Sequence, residues 1–164
     1  MSTDWNTLYK ETYGDLVRFL YRKVWDEERA QELAQEVFVR GLKNQPDRPR
    51  AWLFVTAANL ARDEVRKVVR RKRHLALLRP EEGTTPEDAL LESEQRSQVQ
   101  AALSALSERD REALLLWDAG LSYGDIARET GLSKSAVGTT LARARKRLVA
   151  AHRGKEVEDD AAHR

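Results

Sequence analysis

The chain has 164 residues, 41% of them hydrophobic, enough to bury one core of ordinary size or two small ones. It contains no cysteine, which excludes a disulfide framework, a thiolate nucleophile and any cysteine-based zinc site, and fits a reducing cytoplasm. The net charge of +2 says little about partners, because 29 basic and 27 acidic residues are sorted into blocks along the chain.

The start, MSTDWNTLYKETYGDL, carries acids and polar residues where a signal peptide needs an unbroken apolar stretch, and no later run is long enough to span a bilayer. Apolar residues recur at spacings of three and four and β-branched runs are scarce, so every element reads as helix. Trp5, Leu8, Tyr9, Leu16, Leu20 and Val24 form the first stripe, closed by Trp25 and then Asp26 as an N-cap. A second helix, about 27 to 42, should bury Ala30, Leu33, Ala34, Val37 and Phe38. Its first half is acidic, with Asp26, Glu27, Glu28, Glu32 and Glu36 against a single Arg29. Pro46 and Pro49 make a loop of NQPDRPR, Asn44 to Arg50.

The third helix, Ala51 to Arg73, has two faces. At about 100° per residue Leu53, Phe54, Ala57, Leu60, Ala61, Val65 and Val68 share a core side, while Trp52, Thr56, Asn59, Asp63, Arg66 and Arg70 share the other. An exposed indole beside arginines suits stacking of a single-stranded base, worth ~1 to 3 kcal/mol, with the arginines along the phosphates. Alternatively, Trp52 folds back onto a neighbouring helix and the stripe is a solvated face.

From Leu75 the pattern loosens, and PEEGTTPED, Pro80 to Asp88, reads as a linker. The expected organisation is a first domain over 1–74, a linker over 75–98, a second domain over 99–152 and a charged, frayed tail over 153–164. Thr85, Pro86 and Asp88 mark a helix start inside the linker. Val99, Ala102, Leu103 and Leu106 then carry an apolar side. Ser107 with Asp110 starts a helix through Ala113 and Trp117 that Gly120 stops. Ser122 with Asp125 starts the next, through Ile126 to a turn at Gly131, and Ser133 caps a long last helix with Val137, Leu141, Ala144 and Leu148 inside.

Ala127, Gly131 and Val137 supply what a helix-turn-helix needs: a small residue where the helices cross, a glycine for positive φ, and a branched anchor. Behind them come Arg143, Arg145, Lys146, Arg147 and Arg153 with no acid between. Lys134, Ser135, Gly138 and Thr139 would face base edges and the arginines would hold phosphates. The alternative is a helical hairpin with a solvated basic end. No catalytic constellation is present: His74, His152 and His163 lie among basic residues or in the tail, and no phosphate-cradling loop or serine elbow appears, so neither enzyme activity, metal nor cofactor is expected.

DEERAQELAQEVFVRGL, RAWLFVTAANLARDEVRK and LSERDREALLLWDAGLSYGDIARETGLSKSAV, in that order, resemble the small extracytoplasmic-function (ECF) sigma factors of the bacterial sigma-70 family. The resemblance implies an all-α fold of two small helical domains, sigma region 2 and sigma region 4, joined by an acidic flexible linker. Region 2 would bind the core RNA polymerase coiled coil through Glu32, Gln35 and Glu36. It would hold the opened minus-ten promoter DNA with Trp52, Thr56, Asn59, Arg62, Arg66 and Arg70, aided by the specificity loop from Lys43 through Arg48 to Arg50. Region 4 would read the minus-thirty-five duplex through Ser133, Lys134, Ser135 and Thr139, with Arg143, Arg145, Lys146 and Arg147 on phosphates. Many members carry basic residues where this chain has Gly138 and Thr140, which points to altered base readout. The stretch Glu81 to Glu94, six acids and no base, resembles a segment lying in the channel of nascent RNA, or is a solvated tether. Expected partners are core RNA polymerase, promoter DNA and an anti-sigma protein, for a cytoplasmic chain that is monomeric when free and does not insert in membranes. Two other functions fit less of the chain: a sigma-like adaptor that sequesters an anti-sigma protein, and a stand-alone helix-turn-helix regulator.

Overall fold

Polar side chains set the helix boundaries in the computed structural model, which describes residues 2–78 and 97–162. The Asp4 carboxylate accepts from the Asn6 and Thr7 amides at 3.2 and 3.3 Å and opens α1, Trp5–Val24. Trp25 ends it in the left-handed region, φ 56°, and Asp26 at once caps α2, Glu27–Asn44, accepting from the Arg29 amide at 3.1 Å. A non-glycine residue is costly at that φ. Trp25 sits edge-on against the Tyr21 ring 5.5 Å away. Gln45 ends α2 the same way at φ 45°, and its side chain donates to the Leu42 carbonyl at 2.8 Å and accepts from the Trp5 indole at 3.1 Å. α3, Pro49–Leu78, begins on a proline, where the missing N–H has no helical partner to lose. The expected loop is therefore shorter than 44–50: Lys43 and Asn44 close α2, while Pro49 and Arg50 open α3.

α1, α2 and α3 pack mutually. Their core holds Leu16, Phe19 and Leu20 from α1, Ala30, Leu33, Ala34, Val37 and Phe38 from α2, and Leu53, Phe54, Ala57, Ala58 and Ala61 from α3. Burying each larger side chain contributes about 1.5 to 3 kcal/mol. Phe19 meets Phe54 edge to face at 5.5 Å, and the Trp5 ring lies against Gly41 where a Cβ would stand 2.8 Å from its rim. On α1 the expected stripe is right at Leu16 and Leu20, but Tyr9 is exposed and Thr12 and Phe19 are buried.

The core face of α3 also differs from expectation. Leu53, Phe54, Ala57 and Ala61 are buried and Ala58 joins them, but Leu60 is only half-buried and Val65 and Val68 are exposed, at 40% and 38%. Length is the reason. α3 has 30 residues against 20 and 18 for its neighbours, about 45 Å against about 30 and 27 Å, so its last third outruns the bundle.

The chain divides into two compact units, Met1–Glu81 and Glu82–Arg164. Of the expected linker, residues 75–78 belong to α3 and 97–98 to the next helix; the rest, with the Thr85 helix start, lies outside the described residues. The second unit contains α4 (residues 97–104), α5, Glu108–Asp118, α6, Tyr123–Thr130, and α7, Lys134–Ala162. The hydroxyls of Ser107, Ser122 and Ser133 accept the amides of Asp110, Asp125 and Ala136 at 3.2, 3.2 and 3.3 Å, and Gly120 and Gly131 take φ 90° and 74°. Ala102, Leu103, Leu106, Ala113, Leu114, Leu115, Leu116, Ala119, Leu121, Ile126, Val137, Leu141 and Ala144 are buried. Val99 is 42% exposed, outside the core expected to take it. The tail does not leave the helix at Arg153. α7 continues to Ala162, because a single glycine, Gly154, interrupts a run of alanine and acidic helix formers. Among the described residues every regular element is helix, and no helix is long and apolar enough to cross a membrane.

Candidate nucleic-acid interface

On α3 the face that the core does not use runs from Trp52 through Thr56, Asn59 and the exposed Asp63 to Arg66 and Arg70, with Arg62 at its edge. Trp52, Thr56 and Arg62 are half-buried; Asn59, Arg66 and Arg70 are exposed. Trp52 is thus shared between bundle and solvent. The Arg62 Nη1 donates to the Asn59 Oδ1 at 3.2 Å, which fixes the amide and leaves its nitrogen end for another acceptor. Lys43 and Arg48 stand exposed at the α2–α3 corner. Arg50 is set apart from the stripe. Its guanidinium donates to the buried Thr12 hydroxyl at 3.3 Å, lies 3.7 Å from Asp15, and covers the Phe54 ring at 5.1 Å, so it ties α3 to α1.

On α2, Glu32, Gln35 and Glu36 are exposed as expected, and Val39 and Leu42, 50% and 51% exposed, extend the same face. Those two escaped the sequence reading, although the helical period places all five within about 120°. Glu36 pairs with Arg40 at 2.8 Å. Arg29 makes the richer contact: Nε and Nη2 donate to the two Glu64 oxygens at 2.8 and 3.0 Å, and Nη1 donates to Glu32 at 2.8 Å. Hydrogen bonds to Glu64 first and Glu32 second push the Arg29 pKa further up, and the Arg29 bond holds the Glu64 carboxyl below the usual range against the opposing effect of burial.

In the second unit α6 and α7 form the helix-turn-helix. Gly131 supplies the left-handed turn, Val137 is fully buried, and Ala127 is half-buried between the helices. Ser133, Lys134, Ser135 and Thr139 are exposed on the first turns of α7, with Ser133 also serving as the cap. Gly138 faces Tyr123, where a Cβ would lie 3.5 Å from the ring. Thr140 is buried at 4%, so this position points into the core of the unit, and the departure expected to alter base readout there falls on a packing residue.

The arginines behind divide. Arg143 donates through Nη2 and Nε to the buried Asp110 carboxylate at 2.9 and 3.2 Å, with Arg147 Nη1 at 4.0 Å, so Arg143 ties α7 to α5 rather than projecting freely. The Arg143 hydrogen bond is the main cause holding the Asp110 carboxyl below its ordinary value. Arg145 and Lys146 are exposed; Arg145 lies over the Trp117 ring at 5.8 Å, and Trp117 meets Tyr123 edge-on at 5.4 Å. Among the described residues no group of three His, Asp or Glu side chains could hold a metal.

Two stretches match known families: residues 8–71 match Sigma-70 region 2, and residues 96–148 match Sigma-70, region 4. The chain is 30% identical over 154 residues to ECF RNA polymerase sigma factor SigE of Mycolicibacterium smegmatis, covering 88% of this chain and 60% of that protein. It is 30% identical over 153 residues to RNA polymerase sigma factor YlaC of Bacillus subtilis, covering 86% and 87%. In fold it is similar to the sigma factor RpoE of Bartonella quintana, solved with the anti-sigma factor NepR, with a TM-score of 0.66 at 24% identity over 90% of this chain and 96% of that one.

Proposed function

Since the chain belongs to the ECF sigma factors of the sigma-70 family, we propose that it binds core RNA polymerase and directs it to specific promoters, with the labour divided among the three surfaces described above. The observation that carries the division is the pairing of unlike faces on one rigid bundle. α2 presents acids running into Val39 and Leu42, which suits a cationic protein surface with an apolar centre. α3 presents an indole, an amide and arginines, which suits an unstacked strand. In this reading Glu32, Gln35, Glu36, Val39 and Leu42 meet the polymerase. Trp52, Thr56, Asn59, Arg62, Arg66 and Arg70, with Lys43 and Arg48 at the corner, hold the opened minus-ten element. Lys134, Ser135 and Thr139 read the minus-thirty-five duplex while Arg145, Lys146 and Arg147 hold its phosphates.

A short loop on a helical scaffold is suited to capturing a flipped base, because flipping costs a few kcal/mol and less once the strands are parting. The reaction it serves is the polymerase's; this chain contributes recognition and strand capture. The place of action is the cytoplasm, and regulation by an anti-sigma protein follows from the family resemblance, testable by pull-down from the native host. Adding the protein to core polymerase with a library of promoter fragments tests the whole reading. Specific transcripts are expected, and a protein that neither binds core polymerase nor supports initiation overturns it. Binding of an anti-sigma protein without initiation would establish the adaptor function instead.

A further inference from the structure

Glu64 stands on α3 within a strongly basic run, yet its side chain is only 15% exposed and turns onto α2. It occupies the Nε and Nη2 edge of Arg29, and the other end of that guanidinium reaches Glu32, which is 56% exposed. The three residues form one line of charge-assisted bonds from α3 to the outer face of α2 and carry a net charge of −1. We infer that Glu64 is a positioning residue for the polymerase-binding face: by holding Arg29 against the bundle, it fixes the Glu32 carboxylate and keeps the site negative. The inference rests on the reading of α2 given above.

Without Glu64, Arg29 and Glu32 would be an exposed pair one turn apart, net neutral and loosely held. A bidentate carboxylate removes that freedom in the unbound protein, so the ordering cost is met on folding rather than on binding. It also restores the negative charge that Arg29 cancels, and charge is what an acidic face offers a cationic partner. The same carboxylate lies between Arg62 and Arg66 in sequence, beside Lys67 and Arg71, whose charges also favour its ionised form. Removing its charge therefore makes α3 more basic while making α2 less acidic. The two surfaces respond in opposite directions, which a mere strut between helices would not produce.

The test measures the affinity of the full chain for core polymerase and for a fluorescent single-stranded oligonucleotide, with a thermal melt for each variant. The variants are Glu32→Gln, Glu64→Gln, Glu64→Asp and the Glu32→Gln/Glu64→Gln pair. Glu64→Gln should weaken polymerase binding roughly three- to tenfold while leaving strand binding equal or tighter, and Glu64→Asp should recover part of the loss. In the Glu32→Gln background the second change should add little. Unchanged polymerase affinity in Glu64→Gln, where Glu32→Gln alone weakens it, overturns the inference, as does parallel loss of both affinities. If Glu32→Gln itself leaves polymerase binding intact, the assignment of α2 fails instead. Should Glu64→Gln fold poorly, Arg29→Lys takes its place: an ammonium is expected to bridge the two carboxylates poorly, so polymerase binding should weaken similarly, and unchanged affinity overturns the inference.

Discussion

Arg143 closes on Asp110 with two edges of its fork, Nη2 on Oδ1 at 2.9 Å and Nε on Oδ2 at 3.2 Å, joining the last helix to the start of α5. Asp110 is almost wholly buried, and Ser107 caps the same turn. Asp110→Asn leaves Arg143 facing a neutral amide and should destabilise the second unit by about 1 to 3 kcal/mol, read as a lower melting temperature. The pH dependence has a definite sign. The Asp110 carboxyl titrates below its ordinary 3.8 in the folded state, so its contribution is complete above that value and is lost as pH falls through the depressed folded pKa. The wild-type melting temperature should therefore fall more steeply below about pH 4 than that of Asp110→Asn, and equal acid slopes would contradict this role.

The neighbouring arginines should separate by assay. Arg145→Ala should weaken duplex binding evenly across promoter sequences and lower the salt slope by about 0.9, with the melting temperature little changed. Arg143→Ala should chiefly lower the melting temperature. A changed sequence preference in Arg145→Ala would contradict phosphate contact.

Asn59→Ala should weaken open-complex formation and leave both duplex binding and the melting temperature unchanged, since Asn59 is exposed. Trp52→Ala should do the same with some loss of stability, because the indole is partly packed. For a stacking contact the loss of strand affinity is about 1 to 3 kcal/mol, measured by permanganate reactivity of the promoter or by oligonucleotide titration.

Gly41→Ala adds a methyl 2.8 Å from the Trp5 ring and 3.3 Å from Leu53. Making room requires Trp5 to swing away from its hydrogen bond to Gln45, which also closes α2. The overpacking cost of about 1 to 3 kcal/mol should outweigh the helix-propensity gain of about 1 kcal/mol, so the first unit should melt earlier. A rise in melting temperature would show that the ring moves freely.

Helix starts and stops were legible because one residue decides each: Asp26, Ser107, Ser122 and Ser133 cap, and Gly120 and Gly131 take positive φ. The second face of α3 was equally legible as a phase, since Trp52, Asn59 and Arg66 recur at the helical period. Depth was not. Val65 and Val68 keep the phase of the core beyond the point where α1 and α2 can cover them, and periodicity carries no information about a neighbour's length. Nor does a run of arginines reveal which member turns inward. Arg143 and Arg50 differ from Arg145 and Arg66 only by the carboxylates and hydroxyl that folding brings from 33 to 38 residues away in the chain. Val39 and Leu42 were missed for a different reason: they lie outside the core phase of α2, and apolar residues off that phase give no signal of a binding face until the fold shows which side is left uncovered.

The free end of α3 has an energetic consequence of its own. From Arg66 to Arg73 six cations and no anion share a helix with no bundle around it, and like charges three and four residues apart repel by about 0.2 to 0.5 kcal/mol per pair. The helical conformation there opposes its own charge, and any polyanion lying along it relieves the repulsion. Helix persistence and polyanion binding would therefore be linked equilibria: a phosphate bound there would stiffen the rod, and a stiffer rod would hold the next phosphate in register.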